Sequence, residues 1–341
     1  MSTETPAPET LGSLSGETAV DPNSSAGKEI AGKSPMQIAL RRLAKDKVAV
    51  LCAIVVLFFV LVAVFAGTIC KIFGVSTETV FPSQYLDVLG GALPLPEYGP
   101  PNGDFTWEHP FGIAPKTAAD NLAYWVYGAR TSLTIAAVAS LIASTVGVVV
   151  GLLAGFLGGT VDKVLSFFID TFLTIPFLLA ALTLAPILNE RFNTFDNYQM
   201  IQKVSLVAVL AGFGWMGTAR LIRGEVLSLR EREFVQAARV IGMPTHRVLF
   251  KELLPNLAAP IIISVSLMLP AFVALEAGLA FLGIGVTSGQ SWGKTIDDAT
   301  VYFESYPLYL WEPLIGVVLL VLSLNLLGDA IRDALDPKTR R

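Results

Sequence analysis

The sequence predicts an all-α integral membrane protein with six transmembrane helices and both termini on the inner side. Three observations carry that reading. Hydrophobic residues make up 53% of the 341 and charged residues only 15%, against about 25% charged in water-soluble domains. Long apolar runs with no charge, or a single one, recur along the chain, each able to cross hydrocarbon as a helix. Lys and Arg are also distributed unevenly between alternate connections, 18 on one side and six on the other. The richer side is the cytoplasmic one. A net charge of −4, with no basic patch interleaved with aromatics, argues against a nucleic-acid partner.

Residues 1–35 are rich in Ser, Thr, Glu, Pro and Gly, a composition that reads as a disordered cytoplasmic tail. No apolar stretch follows a charged start, so it does not read as a signal peptide. Within it, Gly27-Lys28-Glu29-Ile30-Ala31-Gly32-Lys33-Ser34 matches the spacing of a phosphate-binding loop. Such a loop works between a buried strand and a helix. Here the polar Asp21-Pro22-Asn23-Ser24 precedes it and Pro35 follows, so the match is fortuitous and no nucleotide cofactor is expected.

Residues 36–70 form a basic lead-in, with Arg41, Arg42, Lys45 and Lys47, and the first span, Val48–Ile69, 22 residues without a charge. Cys52 and Cys70 would stand about 27 Å apart on that helix, too far to bridge. The extracytoplasmic segment 71–130 is broken by Pro94, Pro96, Gly99, Pro100, Pro101 and Gly103. It is too apolar for a free linker and is expected to pack on the outer surface of the bundle. Residues 131–337 supply a five-helix core, with spans expected at Thr131–Val161, Val164–Leu188, Val204–Ala219, Leu257–Ile284 and Pro313–Gly328. Tyr309 and Trp311 extend the last into the interface.

Gly147, Gly151 and Gly155 recur every four residues in the second span, a helix-packing stripe that admits a neighbouring backbone. Two carboxylates fall inside spans, Asp170 in the third and Glu276 in the fifth. An ionised group at mid-membrane costs at least about 2.5–3.5 kcal/mol, so each should face protein or water. They read as a solute or proton path or, more plainly, as hydrogen-bonded or interfacial groups. His109 and His246 fall on opposite sides of the membrane. No metal site and no catalytic set is expected.

The cytoplasmic loop 220–256 is the most informative stretch. Phe234, Val235, Ala238 and Ile241 share one helical face, with Arg230, Arg232 and Arg239 elsewhere. Gly242 is placed to end that helix in the left-handed conformation, and Pro244 to open a second. The result is a helix–turn–helix with an apolar knob facing the cytoplasm. It needs a partner groove or, alternatively, lies on lipid.

Gln236-Ala237-Ala238-Arg239-Val240-Ile241-Gly242, with Leu254-Pro255-Asn256 eleven residues on, resembles the "EAA" loop of ABC importer permeases. Gln236 stands where that family usually has Glu. His109-Pro110-Phe111-Gly112, Tyr127-Gly128-Ala129-Arg130-Thr131-Ser132-Leu133, Glu276 to Gly285, Ser291-Trp292-Gly293 and Asn325 to Pro337 resemble the C-type permeases of dipeptide, oligopeptide and nickel importers. Ile113–Trp125 departs from that pattern and keeps little beyond Asp120. The resemblance implies a type I importer permease fold in a bacterial inner membrane. It also implies a second homologous permease, two cytoplasmic ATP-binding subunits that carry the hydrolysis, and an extracytoplasmic solute-binding protein. Segments 71–130 and 285–312 would meet that protein or the second permease. ATPase docking is carried over to Gln236, Ala237, Ala238, Ile241, Gly242, Met243, Pro244 and Arg247. The cargo implied is di- or oligopeptide, with nickel chelates, glutathione and haem as alternatives. A rival class, the ion-coupled secondary transporter, would call for inverted repeats and a denser ionisable relay. A membrane hydrolase would call for a nucleophile–base set or metal ligands within the spans.

Overall fold

A computed structural model describes residues 35–77, 82–87, 91–100, 104–192, 197–286 and 289–336. The phosphate-loop pattern and all but the last residue of the expected tail lie outside these. Helix α1 (Pro35–Lys45) is followed at once by α2 (Lys47–Val64). The Asp46 carboxylate between them caps α2, accepting from Val48 N at 2.9 Å and Ala49 N at 3.3 Å. The first span is not one helix. It breaks at Phe65 and resumes as α3 (Ala66–Phe73), which Gly74 ends in the left-handed conformation. Cys52 and Cys70 are buried free thiols.

On the outer side, β1 (Leu86–Asp87) pairs antiparallel with β2 (Leu93–Pro94). Leu86, Ile113 and Ala118 bury beneath them with Tyr85 and Tyr98 packed alongside. The second span begins ten residues earlier than hydropathy suggests. Helix α4 (Asn121–Leu157) starts where Asp120 Oδ1 accepts from Ala123 N at 3.0 Å. It stops short of Val161, because Gly158 and Gly159 both adopt positive φ, +66° and +58°, which only glycine takes readily.

The third span departs furthest from expectation. Val164–Leu188 is two helices, α5 (Gly159–Leu173) and α6 (Phe177–Arg191), bent by 86°. Pro176 sits at the bend. Its ring removes a donor and disfavours helical geometry at Ile175. The fourth, α7 (Tyr198–Leu229), runs 32 residues rather than the 16 of Val204–Ala219. Arg220 and Arg223 end a hydropathy run but not a helix, so α7 carries ten residues into the expected cytoplasmic loop. After α7 come α8 (Glu233–Val240), α9 (Ala258–Phe281), α10 (Trp292–Thr300) and α11 (Pro307–Leu335).

Five helices are long and apolar enough to cross a membrane, and the bent pair makes up to six. Packing decides for six. Gly147, Gly151 and Gly155 of α4 face Thr218, Ile222 and Val226 of α7 in ascending order, so α4 and α7 run parallel. Two parallel spans need a return crossing between them, and α5 with α6 is the only chain available for it. Helices α2, α9 and α11 close around α4. At their outer ends Phe59, Trp125 and Trp292 form a ring cluster with centroids 5.6–5.9 Å apart.

Candidate functional site

The cytoplasmic site is built on the lower ends of α4 and α7. Helix α8 lays Val235 and Ala238 on Leu152 and Phe156 of α4, on Ile222 and Val226 of α7, and on Val248, Leu253 and Leu257. All nine are buried. The turn after α8 is a complete Schellman cap. Gly242 has φ +76°, its N–H donates to Arg239 O at 3.0 Å, and Met243 N–H donates to Ala238 O at 3.0 Å. Met243 packs against the same cluster as Ala238. Beyond Pro244 the chain continues as Thr245–Arg247, a π-helical turn Val248–Leu253, and Leu254–Asn256.

The apolar face expected from spacing divides in two. Val235 and Ala238 point into the protein, so Ala238 supports the turn from within. Because α8 ends at Val240, the next residues swing outward. Val240 is 87% exposed, Ile241 76% and Phe250 66%. Phe234 is borderline at 38%. The knob is therefore Val240–Ile241 with Phe250 beside it. Gln236, Ala237, Arg239, Gly242, Pro244 and Arg247 are exposed around it, and Met243 is half-buried. Gln236 Nε2 donates to Glu231 O at 3.2 Å, so this amide is engaged within its own loop. Leu229, Glu231, Arg232, Glu233, Phe234 and Asn256 line a hollow next to the knob.

Three basic residues tie this platform to the membrane helices, and sequence reading missed each pairing. Arg239 sets its guanidinium 4.6 Å from the centroid of the Phe156 ring. Arg230 Nη1 donates to Gly155 O at 3.2 Å. Arg223 grips Asp162 with two bonds, Nε to Oδ1 at 2.6 Å and Nη2 to Oδ2 at 2.9 Å, the planar fork that binds a carboxylate most firmly. Ser166 Oγ donates to the same carboxylate at 3.1 Å. The one hint in the sequence was the run of arginines spaced along α7 and its extension.

The glycine stripe is a zone of backbone approach. A Cβ on Gly147 would stand 2.7 Å from Trp215 O, and one on Gly151 would stand 2.6 Å from Ala219 O. On Gly155 it would stand 2.8 Å from Val226 Cβ. The two intramembrane carboxylates are not brought together. Asp170 is exposed on α5, within electrostatic reach of Arg223. Glu276 is wholly buried on α9 beside the buried Ser132 and Ser291. Its oxygens face the Ser132 and Ser291 hydroxyls, which come from two other elements of the fold.

On the outer face Asp120 caps α4 with one oxygen and meets His109 Nδ1 with the other at 2.7 Å. Asn121 Nδ2 donates to Tyr306 Oη at 3.0 Å, and Tyr306 Oη donates to Pro100 O at 3.1 Å. Burial pushes the Tyr306 hydroxyl well above the ordinary phenol range, keeping it a donor. Above these contacts Lys116, Tyr124, Lys294, Asp297, Asp298 and Tyr302 line a polar hollow. Among the described residues no cluster of three His, Cys, Asp or Glu is placed to hold a metal.

Comparison with known proteins agrees with this architecture. The family model described as binding-protein-dependent transport system inner membrane component matches residues 147–341. The N-terminal transmembrane domain of oligopeptide transport permease C matches residues 34–75. A dipeptide transport system permease protein of Alkalihalophilus pseudofirmus is 32% identical, covering 90% of this chain and 91% of the relative. The oligopeptide transport system permease protein of Escherichia coli is 32% identical, covering 93% and 96%. In fold the chain is similar to a chain of the methionine ABC transporter MetNI in an inward-facing conformation. The TM-score is 0.50 at 18% identity, with 62% of this chain and 96% of that chain covered.

Proposed function

The chain belongs to the family of binding-protein-dependent transport system inner membrane components, and from that premise we propose that it forms half of the translocation path of an ATP-driven peptide importer. The other half is a second, homologous permease. Two cytoplasmic ATP-binding subunits perform the hydrolysis, and an extracytoplasmic solute-binding protein delivers the cargo to the outer face. Di- or oligopeptides are the cargo class, on the strength of relatives named as dipeptide and oligopeptide permeases that match over nine-tenths of the chain.

The observation that carries the docking reading is the exposed knob Val240–Ile241 standing on a buried base. An aliphatic pair 87% and 76% exposed at the tip of a capped turn is a poor arrangement for water and a good one for a groove. Its mechanical connections suit force transmission. A push on α8 acts on α4 through Val235, Ala238 and the Arg239–Phe156 contact, and on α7 through the same buried cluster. The glycine stripe makes α4 and α7 one body, and Arg223–Asp162 fastens the start of α5 to it. Helix α7 spans about 48 Å at 1.5 Å per residue, so tilting this body at its cytoplasmic end opens or closes the outer end of the path.

The test is co-purification of the chain with its partner permease and ATP-binding subunits in mild detergent, alongside the Val240→Asp/Ile241→Asp variant. Both positions are exposed, so the variant folds. It should keep the partner permease and lose the ATP-binding subunits. Retention of those subunits at wild-type level would remove the knob from the docking surface.

A further inference from the structure

Phe105 and Trp107, on the outer side, are 59% and 76% exposed, within the segment 71–130 for which the family resemblance implies contact with the binding protein or the second permease. They are held against each other and against α3. Their rings meet edge to face at 5.4 Å, and Trp107 stacks on Phe73 at 6.5 Å with 16° between planes. Thr106 between them faces inward, its Oγ1 accepting from His109 N at 3.1 Å, and His109 is anchored on Asp120. Phe73 itself packs against the main core at the end of α3. The two rings thus form a fixed shelf at the head of the first span.

The surface below that shelf has the composition of a lipid-facing one. Along α2 and α3 Ala49, Cys52, Phe59, Val62, Ala63, Ala66 and Cys70 are turned inward, five of the seven being small. Leu51, Ile54, Leu57, Phe58, Leu61, Val64, Phe65 and Ile72 are turned outward, Ile72 at 74% exposure. Helix interfaces inside membranes select small residues; this face offers bulky ones, as a lipid-facing surface does. Phe73 closes the first span 25 residues past Val48, up to about 38 Å along the helix line against a hydrocarbon layer of roughly 30 Å. Trp107 beside it stands at the outer end of that span, and at a bilayer interface an indole is favoured because its ring is apolar and its N–H is wet. Asp104 and Glu108 flank the pair and are exposed, which keeps the shelf from sinking deeper.

We infer that Phe105 and Trp107 form a membrane-interface anchor whose partner is the headgroup region of phospholipid in the outer leaflet, fixing the outer segment against the bilayer. The experiment is tryptophan fluorescence of the full chain in phosphatidylcholine vesicles, wild type against Trp107→Phe. Quenching is compared for lipid brominated near the headgroup, lipid brominated deep in the chains, and iodide in the water. The component lost in Trp107→Phe should be quenched most by the shallow bromines and little by iodide. A component quenched by iodide and insensitive to both brominated lipids would overturn the anchor. So would one quenched in vesicles of the lone chain but shielded from brominated lipid once the transport complex is assembled, since a protein would then be the partner. The readout needs no ATP and no transport, so its failure stays separate from any failure of the importer reading.

Discussion

Replacing Gly151 by alanine adds one methyl group at the closest approach of α4 and α7. Built on the existing backbone, that carbon lies 2.6 Å from Ala219 O, 2.9 Å from Ile222 Cβ and 3.1 Å from Arg223 N. Ordinary contact begins at 3.4 Å, so the helices must separate by about 0.8 Å. Two of the three obstacles are backbone, which a rotamer change cannot relieve. Overpacking of this kind costs about 1–3 kcal/mol. The same helix pair supplies the control. Gly212, Gly217 and Gly224 on α7 have no atom within 4 Å of an added Cβ. Alanine there should be neutral or stabilise by about 0.5–1 kcal/mol through helix propensity. Thermal unfolding of the purified variants in detergent reads the difference directly. Gly151→Ala should unfold at lower temperature than wild type, while Gly217→Ala should not. If Gly151→Ala matches Gly217→Ala in stability, α4 and α7 do not meet along this stripe.

Three other outcomes follow from the same contacts. Breaking the bidentate pair by Asp162→Asn or Arg223→Gln should lower ATP-driven uptake per ATP hydrolysed, and a double-mutant cycle should give a coupling of about 1 kcal/mol. Additive effects would mean that the pair carries nothing. Asp120→Ala removes both the α4 cap and the partner of His109, so it should cost about 1–2 kcal/mol and speed tryptic cleavage near Lys116; Asp120→Asn, which keeps a capping oxygen, should lie between. Phe156→Leu keeps the apolar volume of the base but removes the ring under Arg239. It should leave ATPase binding intact while weakening the stimulation of hydrolysis by the loaded binding protein.

The spans were legible because a run of apolar residues is the whole signal for a crossing, and Val48–Ile69 and Leu257–Ile284 carry it plainly. What hydropathy does not encode is where the helix stops. Gly158–Gly159 ends α4 inside an apolar run, and Pro176 turns the third span through 86° without changing its composition. Arg220 and Arg223 marked the end of hydrophobicity, yet α7 continues because Arg223 finds Asp162. In the docking loop the residues were legible but their facing was not. The spacing grouped Val235, Ala238 and Ile241, but the buried cluster under α8 ends at Ala238, so Ile241 stands exposed at 76% while Ala238 stays in. Arg239 over Phe156 and Trp107 on Phe73 pair residues more than 30 positions apart and leave no periodic trace. Glu276 was visible as a charge within a span; its placement beside Ser132 and Ser291 depends on three separate elements meeting.

The central claim is that this chain moves solute by coupling to ATP-binding subunits through the Val240–Ile241 turn. The most direct test is peptide uptake into proteoliposomes holding the assembled complex. ATP is supplied on the side of the docking turn, and ion gradients are collapsed with ionophores. The account predicts uptake that requires ATP and the solute-binding protein, survives the ionophores, and is abolished by Val240→Asp/Ile241→Asp. Uptake that persists in that variant, or that stops with the ion gradient and ignores ATP, would contradict it.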